Sequence, residues 1–308
     1  MSHYGVIDLG SNSIRLVVYD VKSNVSKPVA KKDFKSVINE KKIAGLSAYV
    51  QDGVFTQDGI NRAIEVLEEH LKRARNLDCE RICIFATAVL RNCSNSKEAV
   101  RAISDAIKLP IDLLSARDEA HLGFVGATCD RTIESGTLID IGGGSTEITA
   151  IVDGKDCHDV SLGQGSVSSY AQFVNMILPT HDEMHDIEDA FKEKLVSLGD
   201  LEPYHAKRLY GIGGSSRAIA KMYGTAFCSG VRPRVIELHQ ADALLTLLAR
   251  SRETFAHLAV KAVPDRLHTV VPGCLIAITL MRAFGARDLE ICKYGVREGY
   301  LIERILKA

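Results

Sequence analysis

The sequence predicts an α/β protein of two related domains, and three observations lead there. One hairpin pattern occurs twice, 132 residues apart. Glycine clusters mark the ends of apolar, strand-like runs. Around them, runs of period 2 alternate with runs of period 3.6, the pattern of sheets covered by helices. A chain of 308 residues is long for one core and comfortable for two.

Composition narrows the function classes. The chain is 46% hydrophobic and carries 38 basic and 39 acidic residues. Such a balance does not suit a general coat for nucleic acid, so a polyanion would have to meet a local basic cluster. No run reaches the ~18 apolar residues that span a bilayer. The opening "MSHYGVIDLG" lacks the regions of a secretory signal. Eight cysteines are scattered without a C-x-x-C pair, which reads as reduced thiols in a cytoplasmic protein.

The elements follow in order. "VIDLGSNSIRLVVYD" (6–20) is an apolar run, a Gly/Ser/Asn turn and a second β-patterned run: a hairpin. Thr56 caps a helix over 56–77, in which Ile60, Ile64, Leu67 and Leu71 share a face. "RICIFATAV" (81–89) reads as a buried strand, 96–109 as a helix and 111–115 as a short strand. Ser115 and Asp118 open a helix over 116–128. Its Ala116, Ala120, Gly123 and Ala127 form a small-residue stripe that suits a connection crossing between domains. "LIDIGGGSTEITAIVD" (138–153) repeats the opening hairpin: Asp140 falls on Asp8, Gly142 on Gly10 and Ser145 on Ser13. A third cluster, "RLYGIGGSSRAIAKMY" (208–223), joins strand to helix through Gly213, Gly214 and Ser215. That is either an anion site at a helix start or a packing turn.

Glycine, serine and asparagine tolerate the dihedrals that aim several backbone N–H groups into one concavity. Without Cβ atoms, phosphate oxygens can approach that backbone. The Asp ending each first strand is placed to hold a cation or its water. Two such hairpins facing each other across a cleft would clamp a phosphate chain.

With these pieces the chain resembles the exopolyphosphatase/guanosine pentaphosphate phosphatase family of the actin-like ATPase superfamily. The residues that carry it, in order, are "GVIDLGSNSIRLVV", "ATAVLRNCSN", "SARDEAHLGFVG", "DIGGGSTE", "YGIGGSSRAIAKM", "DRLHTVVPGCLI" and "YGVREGYL". The resemblance implies two RNase H-like domains with a cleft between them, here 1–124 and 125–297, the last helix (about 298–308) packing back on the first. It also implies metal-dependent hydrolysis of a terminal phosphoanhydride with Mg²⁺ (or Mn²⁺), and a homodimer. The substrate the resemblance implies is inorganic polyphosphate or guanosine pentaphosphate; nucleic acid and membrane partners are not expected. Many relatives continue into a helical His-Asp domain, so this chain looks like the short, two-domain form. "THDEMHDIEDAF" (180–191) reads as a solvated helix face and not as a metal site.

Roles follow for single residues. A carboxylate beside a phosphate seat is repelled unless it holds a metal ion or handles a water, and Glu147 stands where the first hairpin has Arg15. Asp140 and Glu147 are the metal-side pair, with Asp8 in support. By the family's Glu-Ala motif, Glu119 orients or deprotonates the attacking water. Arg91 neutralises charge on the transferred phosphoryl. The phosphate contacts are Gly10, Ser11, Asn12, Ser13 and Arg15 in the first hairpin, Gly143, Gly144, Ser145 and Thr146 in the second, and Gly214 and Ser215. Arg266, Lys293 and Arg297 extend a basic track or are surface residues, and the run 27–42 is a solvated strand pair or a seat for distal phosphates. Two further readings stand beside hydrolysis: a kinase of the same superfamily, which would need a base aspartate and room for adenine, and a non-catalytic phosphate-binding regulator.

Overall fold

The β-branched and aromatic residues of the two hairpins build two separate sheets. The computed structural model of the chain describes residues 2–25 and 27–307. The chain divides into two units: one runs to Arg131 and resumes at Gly295, the other is Thr132–Tyr294.

In the first unit, β1 (Ser2–Leu9), β2 (Ser13–Val21) and β3 (Phe34–Ile43) form an antiparallel meander. A small ribbon of β4 (Val50–Gln51) and β5 (Val54–Phe55) leads to α1 (Gln57–Arg75). Then come β6 (Arg81–Ala86), α2 (Ala88–Arg91), α3 (Ser96–Ile107), β7 (Ile111–Leu113) and α4 (Ala116–Thr128). The sheet order is β3-β2-β1-β6-β7, with β6 and β7 parallel to β1.

The second unit repeats that order. β8 (Gly136–Ile141), β9 (Thr146–Val152) and β10 (Lys155–Leu162) form the meander, followed by α5 (Ser166–Phe173) and α6 (His181–Val196). β11 (Arg208–Ile212), α7 (Gly213–Phe227), β12 (Val235–Glu237), α8 (Leu238–Arg250), α9 (Arg252–Ala262), α10 (Val270–Ala283) and β13 (Asp288–Ile291) complete it. The order is β10-β9-β8-β11-β13-β12, so the same five-strand arrangement recurs with one added edge strand. Each unit thus has three antiparallel strands and then two parallel ones, the RNase H-like arrangement expected. Among the described residues no helix is long and apolar enough to cross a membrane.

The first sheet is covered on both faces, which explains why "LVVYDV" lacks polar alternation. Ile7, Leu9, Ile14, Leu16 and Val18 pack against α1 and α3 on one side. Val6, Val17, Tyr19 and Phe85 pack on the other against Leu122 of α4 and the C-terminal segment. That segment is α11 (Val296–Tyr300) and the π-helical turns Leu301–Leu306.

The expected domain boundaries need correcting. Residues 125–131 and 295–297 lie in the first unit, and a boundary at 124 would cut α4 in two. The cause is the packing of α4 on α11. A Cβ on Gly126 would sit 1.9 Å from the Gly295 carbonyl oxygen, and one on Gly299 would sit 1.9 Å from that of Leu122. Gly126, which lies outside the expected stripe, therefore serves a close approach within one unit.

Two other elements differ. The strand expected over 81–89 stops at Ala86, because β1, its pairing partner, ends with Leu9 opposite Ala86. The chain then turns helical at Ala88, which puts Arg91 at the end of a single turn. In "THDE", Thr180 caps α6 and Glu183 caps back at 2.7 Å to the Thr180 N–H, so the acidic run is a capping box. His181 is 73% exposed on that helix face, in line with a solvated reading.

Candidate active site

The two hairpins share one register. Asp8 faces Arg15 across β1–β2, and Asp140 faces Glu147 across β8–β9. The third strand adds Lys41 beside Arg15 in the first unit and Ser161 beside Glu147 in the second. Both turns close the same way: the Gly10 N–H donates to Ser13 O at 3.2 Å, and that of Gly142 to Ser145 O at 2.9 Å.

The turn carbonyls show where the amides point. Ser11 O accepts from the Ser47 N–H at 2.9 Å, and Asn12 O from Ala44 and Gly45 at 3.0 and 2.9 Å. In the second hairpin, Gly142 O accepts from the Ser166 N–H at 2.9 Å and its hydroxyl at 3.0 Å. Gly143 O accepts from the N–H groups of Val167 and Ser168, each at 2.9 Å. A trans peptide points its C=O and the following N–H in opposite directions. The amides of Asn12, Ser13, Gly143 and Gly144 therefore face away from the segments that hold their carbonyls, as an anion seat requires.

Several hydroxyls among the expected phosphate contacts also bond within the protein. The Thr146 hydroxyl donates to Gln164 O at 2.7 Å, and that of Ser215 to Ile141 O at 2.7 Å; both side chains are buried. Ser145 donates to Glu147 Oε1 at 2.7 Å, and Ser161 donates to the same oxygen at 2.8 Å. Glu147, only 4% exposed, thus has its orientation set by two hydroxyls.

Around Asp140 the third glycine cluster acts as a cradle. Gly213 has φ +75°, and a Cβ there would sit 2.1 Å from Asp140 Oδ1. A Cβ on Gly214 would sit 1.9 Å from Nη2 of Arg266. Burial lowers the Arg266 pKa, and Asp265 and Asp140 oppose that shift. Arg266 is thus packed behind Gly214 and not strung along a surface track.

In the first unit two expected catalytic residues meet. Arg91 Nη1 donates to Glu119 Oε2 at 2.7 Å and to Leu114 O at 3.1 Å. Glu119 lies in the first turn of α4, whose start is fixed by Ser115 Oγ accepting from the Asp118 N–H at 3.0 Å. Of the run 27–42, Lys42 pairs with Glu69 and Glu40 with Arg73, so those charges serve α1. Lys293 lies over the Tyr294 ring.

The residues fit a hard divalent cation. Asp140 and Glu147 are cross-strand neighbours with carboxylate oxygens, and Mg²⁺ binds through one or two carboxylates plus waters and substrate phosphates. Among the described residues no group of three or more His, Cys, Asp or Glu side chains could hold a metal by itself. Asp8 has a different neighbour: its Oδ2 accepts from Arg297 Nη1 at 2.8 Å.

Sequence reasoning missed Ser161, Gly165 and the Asp8–Arg297 pair. A Cβ on Gly165 would lie 2.7 Å from Gly142 O, so this glycine lets the start of α5 reach the turn. The Gly/Ser-rich "SLGQGSVSS" was the available signal.

The Ppx/GppA phosphatase family matches residues 21–308. The chain is 27% identical over 310 residues to exopolyphosphatase 1 of Mycobacterium tuberculosis (strain H37Rv), covering 98% of this chain and 88% of that one. It is 24% identical to the guanosine-5'-triphosphate,3'-diphosphate pyrophosphatase of Pseudoalteromonas atlantica, covering 97% of this chain and 58% of the relative. Among solved structures, an exopolyphosphatase from Cytophaga hutchinsonii superposes with a TM-score of 0.85 at 19% identity, over 100% of this chain and 99% of that one. The Aquifex aeolicus Ppx/GppA member gives 0.77 at 21%, over 99% and 98%. The structural likenesses bear on fold alone. Phosphoryl transfer in these enzymes generally needs a divalent metal. On the match over nearly its whole length, this chain belongs to the Ppx/GppA phosphatase family and is a phosphoanhydride hydrolase.

Proposed function

We propose that the chain is an exopolyphosphatase, releasing orthophosphate from the end of inorganic polyphosphate. The observation that carries the hydrolytic reading is the Arg91–Glu119 pair, a carboxylate fixed by a cation at the start of a helix. Water attacks the terminal phosphorus, Glu119 takes its proton, and the bond to the bridging oxygen breaks with the shortened chain as leaving group. Arg91 holds the Glu119 carboxylate turned, and its guanidinium supplies positive charge for the transferred phosphoryl. The amides of Asn12, Ser13, Gly143 and Gly144 hold phosphate oxygens, and Arg15 adds charge. Asp140 and Glu147 would hold Mg²⁺ (or Mn²⁺), which neutralises phosphate charge when bound. Ser145 and Ser161 keep Glu147 in position for that role.

Guanosine pentaphosphate is the second reading, favoured by the name of the P. atlantica relative. Its incomplete coverage of that relative, against the fuller match to exopolyphosphatase 1, supports polyphosphate as the first. A cytoplasmic setting agrees with the eight cysteines being free thiols. A homodimer is the proposed assembly, readable by light scattering. The test of function is phosphate release from polyphosphate, guanosine pentaphosphate and ATP, with and without EDTA. Polyphosphate turnover that stops on chelation supports the proposal. Faster release from guanosine pentaphosphate selects the second reading, and undiminished turnover in EDTA removes the metal.

A further inference from the structure

Arg297 lies 289 residues from Asp8 in the chain and beside it in the fold. The packing of α11 on α4 delivers it there. Its neighbour Glu298 is anchored at both oxygens: the Tyr19 hydroxyl donates to Oε1 at 2.7 Å and the Gly295 N–H to Oε2 at 3.0 Å. With the backbone held on that side, the arginine side chain reaches the end of β1. A guanidinium stays protonated in a protein, so Arg297 brings a fixed positive charge to Asp8. Asp8 presents Oδ2 to it, while its Oδ1 lies at the turn, 3.7 Å from where a Cβ of Gly10 would be. One carboxylate oxygen is clamped and the other is aimed at the phosphate hairpin.

We propose that Arg297 is a positioning residue of the hydrolytic reaction, acting through Asp8 and not by binding the phosphate chain. The proposal rests on the functional reading above. It replaces the expectation that Arg297 extends a basic track, because a guanidinium committed to Asp8 is a poor docking point for a mobile polyanion. The planar guanidinium reaches Asp8 Oδ2 through Nη1, a direction that the flexible ammonium of a lysine would not fix in the same way.

A double-mutant cycle separates the two roles. Arg297→Met, Asp8→Asn and the double variant are assayed on polyphosphate with Mg²⁺, with circular dichroism confirming the fold. Arg297→Met should lower kcat by about 10–100-fold, the usual cost of losing an outer partner, with KM nearly unchanged. In the Asp8→Asn background the same substitution should cost almost nothing more, because its route is gone. Arg297→Lys should fall between. A KM that rises as far as kcat falls, or an equal loss in both backgrounds, overturns the proposal. Should Arg297→Met fail to fold, with the half-buried Asp8 left without its arginine partner, the double variant against Asp8→Asn still decides. Should the wild type release no phosphate from any substrate, the functional reading falls. The cycle is then read on calorimetric affinity for Mg²⁺ tripolyphosphate, where coupling supports Arg297 acting through Asp8 and additive losses overturn it.

Discussion

The first and second hairpins are one backbone with two chemistries. Register, turn closure and the tying back of turn carbonyls agree in both, yet the facing residues are Asp8, Arg15 and Lys41 in one and Asp140, Glu147 and Ser161 in the other. Cross-strand partners share a face, so each row acts as a unit. The first row suits a phosphate directly. The second suits a phosphate only with a cation between. The turn is shared, and two cross-strand positions, Arg15 against Glu147 and Lys41 against Ser161, set the two rows apart. Each Asp also has an arginine from far downstream near it, Arg297 in one unit and Arg266 in the other.

Glu119, the proposed base, lies in α4, outside both hairpins. Glu119→Gln keeps shape and hydrogen bonding but removes the proton acceptor, and should cut turnover ~10²–10⁴-fold while polyphosphate affinity holds. Turnover above about a tenth of wild type, less than the usual general-base effect, would move the base to Glu147 and break the comparison.

The next effect sets one row against the other. Glu147→Gln should lower kcat by about 100-fold or more and raise the Mg²⁺ needed for half-activation, since losing a metal-holding carboxylate costs no less than losing one of its outer partners. Arg15→Gln should instead raise KM about 10-fold, the lower end for a charged hydrogen bond at ~1.5 kcal/mol. Metal titrations of both variants check this, and equal shifts in Mg²⁺ demand would contradict it. Similar in size is Ser161→Ala, which removes one of the two hydroxyls on Glu147 and should cost about 10-fold, again through Mg²⁺ demand.

The smallest effect concerns a support that only the first hairpin has. His70 of α1 is fully buried under β2 and its Nε2 lies 3.2 Å from Ile14 O. Burial lowers its pKa from 6.5, against the bond to Ile14 and the charge of Glu40. The unfolded chain therefore binds the proton more readily, and stability is lost as pH falls below about 6.5 towards the lower folded value. Thermal unfolding between pH 7.5 and 5 should show the first unit weakening, and His70→Gln should flatten that slope. A slope unchanged in the variant assigns it to other groups.

Much of this was legible in the sequence. The repeat of Asp-x-Gly correctly paired Asp8 with Asp140 and Arg15 with Glu147, because a hairpin register is fixed by its turn. Helix α1 and the start of α4 followed from caps and period. Residues joined by long separations were not legible: nothing near Asp8 announces Arg297, and nothing near Gly126 announces Gly299. Side-chain direction was invisible too. Thr146 and Ser215 have the right chemistry for phosphate, but their hydroxyls turn inward to the backbone carbonyls of Gln164 and Ile141.

The interruption of the first unit between Arg131 and Gly295 bears on how the protein is made. A ribosome emits β1 to α4, then the whole second unit, and only then the segment that covers Val6, Val17, Tyr19 and Phe85. The second unit is contiguous and can close while the nascent first unit still shows one apolar face. Domains generally fold as they emerge, and uncovered faces aggregate. Chaperone demand should therefore fall on the earlier-synthesised half, and a chain stalled before Gly295 would hold both hairpins yet lack Arg297. Quality control of nascent chains is thereby tied to activity: only molecules that have recruited the late segment complete the first hairpin.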